Sequence, residues 1–193
     1  MEPENLKDTI ARLISEEILI VPYDDRWRLF FQQEAEYLRS TLPSNIIKRI
    51  EHFGSTAIPG LPSKPIIDIL VEVSSLEEVK HSIAPLLEST GYEYLWRPEF
   101  DDISSRFYAW FIKRNSQGKR THHIHMVEAN STLWERLLFR DYLRTHPEDT
   151  NQYAELKRQL ASEFQNDRIG YTAAKTTFIQ SIMDKARHHY AKT

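Results

Sequence analysis

The chain is 193 residues long, 40% hydrophobic and 27% charged, the size and balance of one globular domain able to bury its own core. It contains no cysteine, which excludes disulfides, thiolate zinc sites and a cysteine nucleophile. A formal net charge of −3 speaks against sequence-independent DNA binding, which needs a basic face to displace counterions, but leaves room for a local basic pocket around one small anion.

In chain order, residues 1–20 read as an appended N-terminal helix, with Leu6, Ile10, Leu13 and Ile14 on one side of Asn5–Ile18. Charges at Glu2, Glu4, Lys7, Asp8 and Arg12 leave no apolar stretch of a secretory signal, and no apolar run approaches the ~20 residues of a membrane span. The expectation is a cytoplasmic protein with no membrane partner. Pro22 ends this segment, and Asp24 or Asp25 caps a helix striped by Trp27, Phe30, Phe31 and Leu38. Ile46–Phe53 reads as a strand running into Gly54-Ser55. Thr56–Pro65 holds three prolines and a glycine and cannot be regular structure. Ile66–Val73 is mostly β-branched and short, the composition of a central strand.

Ser75-Leu76-Glu77-Glu78 is a capping box that opens a helix facing the core with Val79, Ile83 and Leu86, and Gly91 closes it. Strands over Tyr92–Arg97 and Arg106–Arg114 flank an acidic loop with Asp101 and Asp102. Asn115–Gly118 then turns the chain into a third strand, Arg120–Glu128. From Thr132 the pattern is helical to the end, broken at His146-Pro147 and near Gly170, which gives three helices. The whole, residues 1–193, is expected to be a single α+β domain with helices packed on a mixed sheet and a C-terminal helical segment.

The chemistry concentrates around His52-Phe53-Gly54-Ser55 and Lys64-Pro65-Ile66-Ile67-Asp68. Gly54 lets backbone approach a phosphate, and Ser55 offers a hydroxyl and an N–H to phosphate oxygens. Asp68 sits where a divalent ion could bridge it to the same phosphates, and Lys64 supplies a positive charge. On strand Arg120–Glu128, His123 and His125 share one face, the H-x-H spacing of metal sites and acid–base pairs. Tyr171 and Lys175 read as lying one turn apart on the last helix and could reach the mouth of the site. Arg97, Arg106, Arg114, Lys119 and Arg120 read as solvated faces of the hairpin strands. The rings of Tyr94, Trp96, Phe107, Tyr108, Trp110 and Phe111 read as core.

The block His52-Phe53-Gly54-Ser55-Thr56-Ala57-Ile58-Pro59-Gly60-Leu61 with Lys64-Pro65-Ile66-Ile67-Asp68-Ile69 resembles the signature of the GrpB family. The resemblance continues through Tyr23, Trp27, Thr121-His122-His123-Ile124-His125, Phe139-Arg140-Asp141-Tyr142-Leu143, Tyr171, Lys175 and Phe178. It implies a nucleotidyltransferase-like fold in which a Gly-Ser turn and paired strand carboxylates hold a metal-nucleotide. It also implies a nucleotide or coenzyme context, since members resemble a domain fused to dephospho-CoA kinase.

One position departs from that pattern. The second carboxylate belongs two residues after Asp68, where this chain has Leu70, and two-metal chemistry needs both acids. Glu72 shares the face but lies ~6–7 Å further along. A metal set of Asp68, Glu72, His123 and His125 is the alternative, with Mg²⁺ expected first and Mn²⁺ or Zn²⁺ after it. Three functions stay open: a phosphorylated small molecule or nucleotide bound with a divalent metal, with nucleotidyl or phosphoryl transfer by Asp68 and His123 or His125; a non-catalytic nucleotide or coenzyme module; and a histidine-containing metal-dependent hydrolase.

Overall fold

The computed structural model describes residues 16–99 and 106–191. Most of the expected N-terminal helix, and the loop with Asp101 and Asp102, lie outside the described residues; residues 16–20 are not helical.

Helix α1 (Arg26–Thr41) begins beside Asp24, whose carboxylate accepts the Arg26 backbone N–H at 2.9 Å. Asp25 makes no side-chain cap, so of the two expected capping residues Asp24 satisfies the first turn. The buried face is Trp27, Glu34, Ala35 and Leu38. Phe30, expected on that stripe, is 37% exposed, because the core-facing positions fall a residue away from it. Glu34 is tolerated inside because Tyr92 and Lys113 both donate to its carboxylate.

Five strands follow: β1 (Ile47–Phe53), β2 (Ile67–Val73), β3 (Glu93–Pro98), β4 (Phe107–Arg114) and β5 (Arg120–Val127). They form one mixed sheet in the order β1-β2-β5-β4-β3, with β2 and β5 parallel and the other neighbours antiparallel. Strand alternation sorts the side chains. Ile67, Ile69, Val71 and Val73 meet Phe111, Ile124 and Met126 in the main core beneath α1. Asp68, Leu70 and Glu72 of β2 fall on the opposite face, with His123 and His125 of β5. There Leu70 packs with Phe53, Trp110, Val127, Leu133 and Leu137.

After β2, Ser75 accepts the Glu78 N–H and starts a helical run made of α2 (Leu76–Glu78), a π-helical turn (Val79–Ile83) and α3 (Ala84–Ser89). Gly91 follows at φ 92°, the left-handed turn that the sequence predicts.

After a 3₁₀ turn (Thr132–Glu135), four helices rather than three complete the chain: α4 (Arg136–Thr145), α5 (Pro147–Glu163), α6 (Arg168–Ala174) and α7 (Thr176–Tyr190). The break expected near Gly170 falls earlier, because Asp167 caps α6 by accepting the Gly170 N–H at 2.9 Å. Gly170 therefore lies inside α6, where a Cβ would come within 2.4 Å of the Asp167 carboxylate. These helices grip the proline-rich loop: Ile58 and Leu61 are fully buried against Tyr142, Leu143, Tyr153, Ala154 and Ile182. Among the described residues no helix is long and apolar enough to cross a membrane.

Candidate functional site

The parallel register of β2 and β5 sets Asp68 opposite His123 and Leu70 opposite His125. The Asp68 Oδ1 and His123 Nδ1 atoms are 3.1 Å apart. Asp68, His123 and His125 each offer one ligand atom, and these three atoms lie within 4.8 Å of one another. His125 is buried among the rings of Phe53 (5.2 Å), Tyr108 (5.4 Å) and Trp110 (6.1 Å). Burial holds both imidazoles below their usual range, His125 well below, so both are neutral at pH 7 despite the attraction of Asp68. Burial alone would push the Asp68 carboxyl up. The hydrogen bond from His123, with the Lys64 charge beyond it, offsets that and holds it below its ordinary value. Among the described residues, Nε2 of His123 and Nδ1 of His125 are buried without a hydrogen-bond partner.

The Gly-Ser turn closes on the same carboxylate. Phe53 pairs with Asp68 across β1 and β2, and Gly54 follows at φ 70°. A Cβ on Gly54 would lie 2.3 Å from Asp68 Oδ2, so the turn touches the acid only because the side chain is missing. Ser55 opens a 3₁₀ turn (Ser55–Ala57). Thr56 gives its single hydroxyl proton to the Ile66 carbonyl at 3.2 Å, so at 3.0 Å the His52 Nε2 must donate to Thr56. His52 is thereby a structural brace, stacked on Phe31 and held as a neutral ring, its pKa pushed down to about 4 by burial. Helix α4 locks the turn from outside: Arg140 donates to the His52 carbonyl at 2.7 Å, and Arg144 to that of Ala57 at 2.9 Å.

Cations gather around this acid. Lys64 and Lys175 lie over the buried Tyr171 ring at 5.2 and 4.0 Å. Lys157 of α5, only 2% exposed, donates to the Pro62 carbonyl at 2.5 Å and lies 4.8 Å from the Tyr153 ring. Among the described residues none of the three lysines has a carboxylate partner. Burial, together with mutual repulsion, pushes Lys64 down to about 7 and Lys157 to about 6. Burial and the Arg168 charge take Lys175 to about 8, although Asp68 pulls it up. Nearby arginines are served differently: Glu16 pairs with Arg114 and Arg120 at 2.7 Å each and with Arg168 at 3.8 Å.

Of the residues singled out in the sequence, the structure thus brings Gly54, Ser55, Lys64, Asp68, His123, His125, Tyr171 and Lys175 to one region. Tyr171 belongs to α6 and Lys175 to the joint before α7, so they are not on the last helix. Glu72 shares the sheet face but stands outside the three-residue group, beyond the fully buried Leu70. The hairpin arginines are not all solvated: Arg120 is buried, and Arg97 covers Trp110 at 4.9 Å. Of the aromatic set, Tyr108, Trp110 and Phe111 are buried, whereas Tyr94, Trp96 and Phe107 are half-exposed. Lys157, Tyr153 and Arg144 have no local sequence signal for the site, and Arg140 has one only within the family block, because their roles arise only when helices fold back on the Gly-Ser turn.

A family model described as GrpB protein matches residues 17–185 of this chain. The glutamate-rich protein GrpB of Alkalihalophilus pseudofirmus is 36% identical over 170 residues, 88% of this chain and 95% of that one. The crystal structure of the conserved protein GrpB from Enterococcus faecalis matches with a TM-score of 0.77 at 34% identity, covering 89% of this chain and 99% of that chain. A dephospho-CoA kinase of Mycolicibacterium paratuberculosis is 27% identical over 188 residues, 88% of this chain but 46% of its own length.

Proposed function

The chain belongs to the GrpB family, and we propose that it binds a phosphorylated small molecule of the nucleotide or coenzyme class between the Gly54-Ser55 turn and the lysines around Asp68, with a divalent ion at Asp68. One observation carries the reading: Lys64 and Lys175 converge on Tyr171 beside Asp68, with no carboxylate of their own among the described residues. Keeping unpaired ammonium groups half-buried and close together is costly, and a site retains that cost where an anion completes it. The Gly54-Ser55 turn supports the same reading, since the chain there is free of side-chain bulk and carries a hydroxyl. Similarity to part of a dephospho-CoA kinase agrees with a nucleotide or coenzyme ligand.

The ion would be held by Asp68, His123 and His125, and it would supply positive charge for phosphate oxygens. Nucleotidyl transfer by a pair of strand carboxylates is not part of the proposal. Leu70, fully buried against Phe53 and Trp110, occupies the second position and leaves no room there for a solvated acid.

The test is calorimetry and thermal shift with nucleotides and coenzymes, with and without Mg²⁺, Mn²⁺ or Zn²⁺. A ligand at 100 times its Kd should add about 2.7 kcal/mol to stability. Lys64→Met and Lys175→Met should each weaken binding in the presence and absence of metal. Asp68→Asn should remove only the metal-dependent part. Unchanged affinity in both lysine variants, with their folds intact, would overturn the reading.

A further inference from the structure

The family resemblance implies a metal held between two strand carboxylates, an oxygen site of the kind that suits Mg²⁺, and the residues present do not fit that arrangement. Mg²⁺ demands oxygen ligands in near-octahedral geometry. Here one carboxylate, Asp68, stands with two imidazoles, and the position of a second acid is the fully buried Leu70. We infer that Asp68, His123 and His125 form a mononuclear centre for one nitrogen-preferring first-row ion of the zinc class, left open on one side for a ligand oxygen. This rests on the metal half of the proposed function and narrows its divalent ion to a single borderline one.

Three observations support it. First, two nitrogens and one oxygen are the donor set of open zinc and related transition-metal sites, in which a fourth position is left to water or substrate. Second, the spacing is close to what such an ion needs. Bonds of about 2.0–2.1 Å in a tetrahedral shell place ligand atoms about 3.3 Å apart. Asp68 and His123 are already 3.1 Å apart, and the His125 ligand atom lies within 4.8 Å of both.

Third, the alternative of two ordinary core histidines leaves a polar atom unexplained. Among the described residues His125 Nδ1 is buried without a partner, whereas His123 already turns its Nδ1 to Asp68. Buried polar atoms left unpaired are uncommon in folded proteins and call for a reason. The rings of Phe53, Tyr108 and Trp110 wrap the two histidines in apolar surface, a shell that limits solvent access to a coordinated ion from that side.

The experiment uses the untagged full chain, stripped with a chelator and titrated with Zn²⁺, Co²⁺, Mn²⁺ and Mg²⁺ separately, with no nucleotide present. Metal content and calorimetry should give one equivalent of Zn²⁺ or Co²⁺ per chain, bound at least about 100-fold more tightly than Mg²⁺. Cobalt should show visible absorption bands of a low-coordinate nitrogen–oxygen site. His123→Gln and His125→Gln should each lose that equivalent and the bands, and Asp68→Asn should weaken the binding. A variant that fails to fold is replaced by His125→Asn.

Mg²⁺ bound as tightly as Zn²⁺, or two equivalents bound together, would overturn the inference and leave the proposed function standing. Zinc that persists unchanged in both histidine variants, held by surface histidines, would overturn it too. Binding of no ion removes the inference together with the metal half of the proposed function. Polyphosphate binding without metal would then still support the lysine half.

Discussion

Gly54 shows how one residue can hold a site in place. Its φ of 70° lies in the region that side chains avoid, and the place of its missing Cβ is taken by the Asp68 carboxylate. Gly54→Ala must therefore both strain the backbone, at about 1–3 kcal/mol, and push the acid off its position beside His123. Urea denaturation should show that loss of stability, and metal affinity should fall with it. A variant with unchanged affinity would separate the turn from the site. Much of this was legible in the sequence. The Gly-Ser turn and Asp68 are joined by the irregular loop Thr56–Pro65, close enough in the chain to be read together, and the period of two put His123 and His125 on one face before any fold was known. Lys157 was not legible. It lies in an ordinary amphipathic helix, and only its packing on Pro62 and Tyr153 gives it meaning.

At the scale of elements, the decisive event is the parallel pairing of β2 with β5. Alternation and β-branched composition predict each strand, and the observed ends lie within one or two residues of those read from the sequence. Nothing in either strand states that they are neighbours, because parallel strands are joined by a long crossover and share no turn. The helices show the same limit: Pro147 and Ser75 marked their starts, whereas Asp167 moved a break that Gly170 alone seemed to announce.

Helix α5 carries its own consequence. Its Lys157 has a folded pKa of about 6 against an ordinary 10.5, lowered first by burial and then by Lys175 and Lys64. Between those values the unfolded chain binds more protons than the folded one, so stability rises with pH through that window and is lost as pH falls toward 6. Lys157→Met keeps the length and apolar character of the stem and removes the titration. Its melting temperature should exceed that of the unaltered chain at pH 6–7 and should rise less between pH 7 and 10. Parallel pH profiles for the two proteins would show that Lys157 is not a buried neutral amine.

For the whole molecule, a net charge of −3 conceals an uneven distribution, with unpaired lysines drawn to one region while Glu16 serves the neighbouring arginines. That arrangement couples anion binding to protons. Burial and neighbouring cations leave Lys64 at about 7 and Lys175 at about 8, so at pH 8 a good part of both amines is neutral before a ligand arrives. A polyphosphate favours the charged amines and raises both pKa values, which requires proton uptake on binding. At pH 6 both lysines already carry their protons, and lysine-linked uptake should vanish. Affinity for the same ligand should then fall steadily as pH rises from 7 to 9, because protonating each amine costs more in that range. Calorimetry with inorganic triphosphate, in two buffers of different ionisation enthalpy, measures the uptake directly. It should approach about one proton per ligand at pH 8 and disappear in Lys64→Met combined with Lys175→Met. Uptake that persists in the double variant would assign the coupled protons to other groups, and the lysines would lose their place as the anion's contacts.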